Sequence, residues 1–280
     1  MNVKIIIDST VDTTPAIRAK CAVVPLTVHF GEAEYVDGVT ISHHDFYEKL
    51  ATGTDLPTTS QPTPDAFMQE FQKVVDAGQK AVVLTVASKL SGTYQSATIA
   101  AAEFPGSIYV VDTKTVTIGS GILAELAVNM AEAGASAEDI VKKINAERDN
   151  VRLVALVDTL EYLKKGGRIS KTVAFAGELL SIKPVIGVQD GEIQILAKAR
   201  GARQGNAMLS KQIEAMGGVD FSKPIMLGYT GNSNEALGKY VAENAELWAS
   251  AGEDLPCAQI GSVIGTHAGP GAYAAAFIKK

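Results

Sequence analysis

Short clusters of hydroxyl-bearing side chains mark this chain: Asp8-Ser9-Thr10, Thr58-Thr59-Ser60, Ser88 with Ser91-Gly92-Thr93, and Asp112-Thr113. Each stands beside an apolar run, where a strand hands over to a loop or helix. Ser, Thr and Asp favour such positions because their oxygens accept hydrogen bonds from the free N–H groups of a starting helix. Capping alone therefore accounts for any single cluster. Several together can converge on one ligand, since α/β proteins bind small molecules at the ends of their strands.

The stretch SKLSGTYQSA (Ser88–Ala97) follows the apolar run Ala81–Val86 directly and admits two chemistries. As a nucleophile, Ser91 needs a base and an orienting group. Of the four histidines, His267 in THAGPGA is the best candidate, because it follows an apolar run and precedes a glycine-rich turn. Against an esterase or thioesterase built on Ser91 and His267, SKLSGT lacks the glycine two residues before the serine that marks a nucleophile elbow. As an anion cradle, the same turn offers the N–H groups and partial positive charge of a helix N-terminus. Gly92 lets backbone approach closely, Ser91, Thr93 and Thr59 donate hydroxyls, and His267 offers a ring N–H or a positive charge. No Lys or Arg stands inside these motifs and no phosphate-binding loop occurs. A carboxylate fits that supply of neutral donors better than a triphosphate, which calls for cations and a metal. In KKGGRIS (Lys164–Ser170) the lysines and glycines read as helix termination, while Arg168 lies past the stop in an exposed segment. The apolar KTVAFAGELLSIKPVIG (Lys171–Gly187) suits a core or the wall of a long cavity.

These residues need a scaffold, and the composition describes one. The 280 residues are 46% hydrophobic but only 6% aromatic, so the core is built from Ala, Val, Ile and Leu. A net charge of −6 argues against nucleic acid. Two distant cysteines without C-x-x-C spacing suit a reducing compartment. No secretory signal opens the chain, and the most apolar helix candidates are too short and too acidic to span a bilayer. The expectation is a soluble, cytoplasmic protein without stable membrane insertion.

The first half alternates strands (Val3–Ile7, Val23–Phe30, Ala81–Val86, Ile108–Asp112) with helices (42–51, 64–78, 91–102, 119–133, 136–149), the signature of a parallel sheet with helices on both faces. The second half begins with the strand Arg152–Val157 and a short helix over Thr159–Gly167. A helix over Lys171–Ser181 follows, and then Pro184–Leu196 carries a hairpin signal at Asp190-Gly191. Helices over 205–216 and 234–249, a strand over Ile225–Tyr229 and a last strand over Ala258–Ile264 complete it. The expected fold is α/β with two domains, a parallel-sheet domain over 1–150 and a smaller mixed-sheet domain over 151–280.

Read together, DST at Asp8, PTTSQPT (Pro57–Thr63), LSGTYQSA, DTLEYLKKGGRIS (Asp158–Ser170), IKPVI with DGEI, and HAGPGA resemble the DegV family from end to end. These are bacterial fatty-acid-binding proteins that serve as the acyl-carrying subunit of fatty acid kinase. The resemblance implies a long-chain fatty acid bound in a tunnel between the two domains, with no metal and no other cofactor. It places the carboxylate at Thr59, Ser91, Gly92 and His267, with Ser60 and Thr93 adjacent. It implies a non-catalytic role, presenting the acid to a separate ATP-using kinase subunit. Arg168 and the segment Ala197–Asn206, with Arg200 and Arg203, are then candidates for docking that partner. The chain departs from the pattern after DST, where Val11 stands at a position that often holds Cys.

Overall fold

The computed structural model describes residues 2–53, 56–169, 182–252 and 255–280. The elements of the N-terminal half follow the sequence periodicity closely. Strands β1 (Val3–Asp8), β2 (Ala22–Val24), β6 (Lys80–Thr85) and β7 (Ile108–Asp112) form an all-parallel sheet in the order β2-β1-β6-β7. The central β1 and β6 are near-continuous apolar runs because helices cover both of their faces. Between them the chain forms α1 (Pro15–Arg18), β3 (Thr27–Phe30), β4 (Ala33–Val36), α2 (His43–Thr52), β5 (Thr58–Ser60) and α3 (Pro64–Asp76). Strands β3, β4 and β5 make a separate antiparallel sheet, so the expected single strand over 23–30 is in fact two. Pro25 explains the break: without an N–H it cannot continue the ladder, and the chain leaves one sheet for the other across it.

Helix α3 shows how local chemistry suffices. The Thr63 side chain caps its start and Pro64 occupies the first turn, while Phe67, Phe71 and Val74 are buried at helical spacing. Helices α4 (Thr93–Ala101), α5 (Ile118–Glu132) and α6 (Ala137–Glu147) complete this half. Buried residues run right round the first half of α5, because that helix is sandwiched between the parallel sheet and the sheet of the C-terminal half. One apolar core accordingly joins Ile7 and Leu84 through Ile118 and Ile122 to Leu153 and Ala274.

The C-terminal half comprises β8 (Val151–Leu156), α7 (Glu161–Lys165), β9 (Ile182–Gln189), β10 (Glu192–Arg200), α8 (Gly201–Ala215), β11 (Met226–Tyr229), α9 (Glu235–Glu243), α10 (Ala245–Trp248), β12 (Cys257–Gln259), α11 (Ser262–Ala268) and β13 (Tyr273–Ile278). Its six strands form one mixed sheet, β10-β9-β8-β13-β11-β12, in which only the β11–β12 pair is parallel. The fold is thus α/β, a parallel sheet followed by a mixed one. The expected hairpin closes at Asp190 (φ 50°) and Gly191 (φ 78°), the two left-handed residues that a tight two-residue turn requires.

Three further expectations differ from the structure. The helix over 234–249 divides at Asn244, whose backbone (φ −125°, ψ 34°) is not helical. The strand over 258–264 ends at Gln259, and α11 takes over at Ser262. The last strand is β13, which sits between β8 and β11. Its sequence, YAAAFI, escapes notice because alanine carries little strand preference. Burial on both faces decides its conformation. The helix expected over Lys171–Ser181 lies outside the described residues. No helix among the described residues is long and apolar enough to cross a membrane.

Candidate ligand-binding site

A cavity lies between the ends of the parallel strands and one face of the mixed sheet, closed on another side by α11. Most of its wall is apolar, with Val116 before α5, Leu153 and Ala155 on β8, Ile186 and Val188 on β9, and Ile264 on α11. Thr59, Ser91, Arg168 and His267 make one polar part of it, and Thr10, Thr117, Thr230 and Tyr273 also line it.

That polar part can be traced contact by contact. Strand β5 alternates its side chains, so Thr59 turns into the cavity while Ser60 turns outward, is exposed, and pairs with His29 Nε2 at 2.9 Å. Thr59 Oγ1 lies 3.0 Å from His267 Nε2, and the direction of that hydrogen bond follows the ring tautomer. The other face of His267 abuts Gly166: a Cβ there would stand 2.2 Å from Nδ1. The Gly166 carbonyl accepts a 2.7 Å hydrogen bond from Arg168 Nη1, and Arg168 Nε donates at 3.1 Å to the Leu90 carbonyl. Ser91 is the next residue. Thr59, His267, Arg168 and Ser91, spread over more than two hundred positions of sequence, thus share one wall.

Burial sets the charge of this wall. Desolvation, helped by the Arg168 guanidinium, pushes the His267 imidazole down to about 4, so the ring is neutral in neutral solution. Its Nδ1 is buried and has no hydrogen-bond partner among the described residues. The sequence left open whether His267 brings a positive charge; the structure gives that role to Arg168. Arg168 was expected on a docking surface, but it is half-buried and lines the cavity.

Around Ser91 the structure separates contact from support. Ser91 Oγ bonds Thr93 Oγ1 at 2.9 Å. Thr93 is fully buried and absent from the cavity wall. Gly92 accommodates a neighbour rather than open space: a Cβ there would fall 2.1 Å from Gln61 Oε1, and Gln61 Nε2 donates to Ser96 Oγ at 3.1 Å. The first N–H of α4, that of Thr93, donates to Ser91 Oγ at 3.4 Å, so Ser91 itself closes the start of that helix. A nucleophile–base pair is not formed. His267 bonds Thr59 rather than Ser91, and no carboxylate among the described residues orients its Nδ1 as a triad requires.

The remaining hydroxyl clusters divide between lining and support. Thr10 reaches the cavity wall, with its hydroxyl and N–H both donating to Asp8 Oδ1, at 2.5 and 2.9 Å. Asp8 also accepts the Val86 N–H at 2.7 Å, which ties the ends of β1 and β6 together, and burial raises its carboxyl above the usual range. Asp112 ties the end of β7 to the loop after β6, accepting from the Ser88 N–H and hydroxyl and from the Lys114 N–H. Arg200 and Arg203 are exposed, at the end of β10 and on α8, and neither lines the cavity. Gln61 and Thr117 escaped the sequence reading, as did the cavity-lining Thr230 and Tyr273. Gln61 has no signal beyond its place in PTTSQPT. Thr117 lines the cavity in a left-handed backbone (φ 50°, ψ −128°), rare for a β-branched residue and invisible in TKTVTIGS.

With this geometry in place, comparison with known proteins is informative. The family model described as "Uncharacterised protein, DegV family COG1307" matches residues 2–280. A DegV domain-containing protein of Deinococcus radiodurans is 34% identical, over 99% of this chain and 98% of its own. Among solved structures, a Thermus thermophilus protein described under fatty acid binding of a DegV family protein shares 32% identity, with a TM-score of 0.87 over 99% of this chain and 100% of its own. A Thermotoga maritima protein, whose structure is described as revealing a fatty acid binding function, shares 28% identity at a TM-score of 0.84, over 99% and 98% of the two chains.

Proposed function

The chain belongs to the DegV family, and on that premise we propose that it binds one long-chain fatty acid in the cavity between its sheets. The carboxylate sits at the wall of Thr59, Ser91, His267 and Arg168, and the hydrocarbon runs along the apolar remainder. One observation carries the reading: a mostly apolar cavity in which Thr59, Ser91, His267 and the Arg168 guanidinium share one wall. A carboxylate is costly to bury unless it is fully hydrogen-bonded, and this wall offers two hydroxyls, a neutral imidazole and a guanidinium. Affinity comes from the tail. Burying about fourteen methylenes at ~0.8 kcal/mol each gives on the order of 11 kcal/mol gross, reduced by freezing the flexible chain. The head group therefore sets orientation and the hydrocarbon sets strength.

In this reading the chain performs no chemistry. Ser91 holds rather than attacks, which accords with its bond to Thr93 instead of His267. The finer role rests on the motif resemblance: the bound acid is presented to a separate ATP-dependent kinase subunit for acyl-phosphate formation. Arg200 and Arg203, exposed and outside the cavity, remain the docking candidates, and Arg168 is reassigned to the ligand.

Native mass spectrometry of the purified protein, with lipid extraction of the same sample, tests the first part. A mass increment that extracts as a long-chain fatty acid is expected. A protein that stays free of ligand after incubation with oleate removes the reading. For the second part, the oleate-loaded protein with ATP and the kinase subunit of its own organism is expected to yield acyl-phosphate. Persistent absence of product leaves a carrier that works without the kinase.

A further inference from the structure

Helix α11 belongs by sequence to the C-terminal half, yet side chains of the N-terminal half hold both of its ends. At its start, Asp12 Oδ1 accepts the Gly261 N–H at 2.9 Å, and the Tyr47 hydroxyl donates to the Ile260 carbonyl at 2.8 Å. Near its end, His267 meets Thr59. In between, Gly265 lets the helix backbone lie directly on α2: a Cβ there would stand 2.6 Å from the Tyr47 hydroxyl and 2.8 Å from a Phe46 ring carbon. His267 follows Gly261 by six residues on one short helix. With its backbone bonds made, such a helix moves as a rod, so the seating of its first turn determines where the imidazole stands.

Asp12 makes a second contact that reaches the cavity independently. Its Oδ2 accepts the Thr117 hydroxyl at 2.6 Å, and Thr117 is the cavity-lining residue held in the left-handed region. The backbone of Asp12 is itself fixed by α5, since a Cβ at Gly121 would fall 2.0 Å from the Asp12 carbonyl oxygen. Asp12 is 3% exposed and does not line the cavity. Its two carboxyl oxygens grip one segment from each half.

We propose that Asp12 is a positioning residue for the ligand site, seating α11, and with it His267, against the cavity while holding Thr117 in place. The role does not require a full negative charge. Burial pushes the Asp12 carboxyl up to about 7, against the lowering effect of its bonds to Thr117 and Gly261, with Asp37 adding to the rise and Arg18 opposing it. Both protonation states are therefore present in neutral solution, and the protonated form keeps both contacts by donating to Thr117 Oγ1. Asparagine reproduces that pattern; alanine removes both contacts.

The affinity part of this inference rests on the fatty-acid reading, whereas the positioning itself is readable without ligand. The measurements are the ring-nitrogen NMR signals of His267 in fatty-acid-free protein and oleate affinity by titration calorimetry, for wild type, Asp12→Ala, Asp12→Asn and Tyr47→Phe. Asp12→Ala is expected to move the His267 signals toward those of a solvated imidazole and to weaken oleate binding about tenfold, the effect of one or two lost hydrogen bonds. Asp12→Asn is expected to restore both, and Tyr47→Phe to move the signals less in the same direction. Unchanged His267 signals in Asp12→Ala, or failure of asparagine to restore them, overturns the proposal even if oleate binds normally. Signals that move in Asp12→Ala and recover in Asp12→Asn uphold it, even if wild type takes up no oleate, an outcome that removes the fatty-acid reading alone.

Discussion

The two halves of the molecule furnish the cavity with different chemistry. The N-terminal half contributes neutral hydroxyls at strand ends and helix starts: Thr10, Thr59, Ser91 and Thr117. From the C-terminal half come Arg168 and His267, the hydroxyls of Thr230 and Tyr273, and much of the apolar wall. In the proposed reading neither half alone makes a carboxylate site. The N-terminal hydroxyls supply geometry without a cation, and Arg168 supplies the charge. Docking the halves does more than enclose the cavity. It buries His267 until its ring is neutral and brings Arg168 to the Leu90 carbonyl beside Ser91. In such an arrangement, competence to bind depends on the interface between the halves as much as on any single side chain.

The largest effect expected is on the tail. If the apolar wall supplies affinity, shortening the ligand from stearate to decanoate removes eight methylenes and weakens binding by ~1,000-fold or more, after allowing for chain freezing. Calorimetry with a series of acids checks this, and equal affinities would show that the head group dominates. A second test addresses the charge of the polar wall. The His267 imidazole lies below its ordinary 6.5, so its neutral form stabilises the fold above that value, and the contribution is lost as pH falls through about 4. Denaturant titrations are expected to show stability falling across this window by about 3 kcal/mol, and His267→Gln to flatten that part of the profile. An unchanged profile would mean that the ring is not desolvated.

The smallest effects separate cation from cradle. Arg168→Met is expected to cost about 2 kcal/mol in oleate affinity, as for a hydrogen bond to a charged group, and Ser91→Ala about 1 kcal/mol. Equal losses would erase the distinction between the halves. A fluorophosphonate probe is expected to leave Ser91 unlabelled, and labelling would revive a hydrolase.

Much of the scaffold was legible because its signals are local. Thr63-Pro64 starts α3 and Asp190-Gly191 closes the hairpin through backbone preferences that act within a few residues. The hydroxyl clusters were equally visible, and the motif order identified the family. Legibility failed where long-range burial outweighs local preference. Alanine-rich β13 is a strand because it lies between β8 and β11. Residues 262–264 read as the end of a strand yet form the start of α11, fitted against α2 at Gly265.

The sequence by itself thus determined which residues cap, turn and alternate, and so the class of the fold and the supply of donors. Tertiary structure alone decided which donors meet. Thr59 and His267 are 208 residues apart and share a hydrogen bond. Thr59 and Ser60 are neighbours and face opposite sides of one strand. Arg168 became part of the cavity because its guanidinium finds two carbonyls, one from each half. The physical reason is that desolvation and hydrogen bonding depend on distance in space, and a charge acquires its final value only once its surroundings are folded.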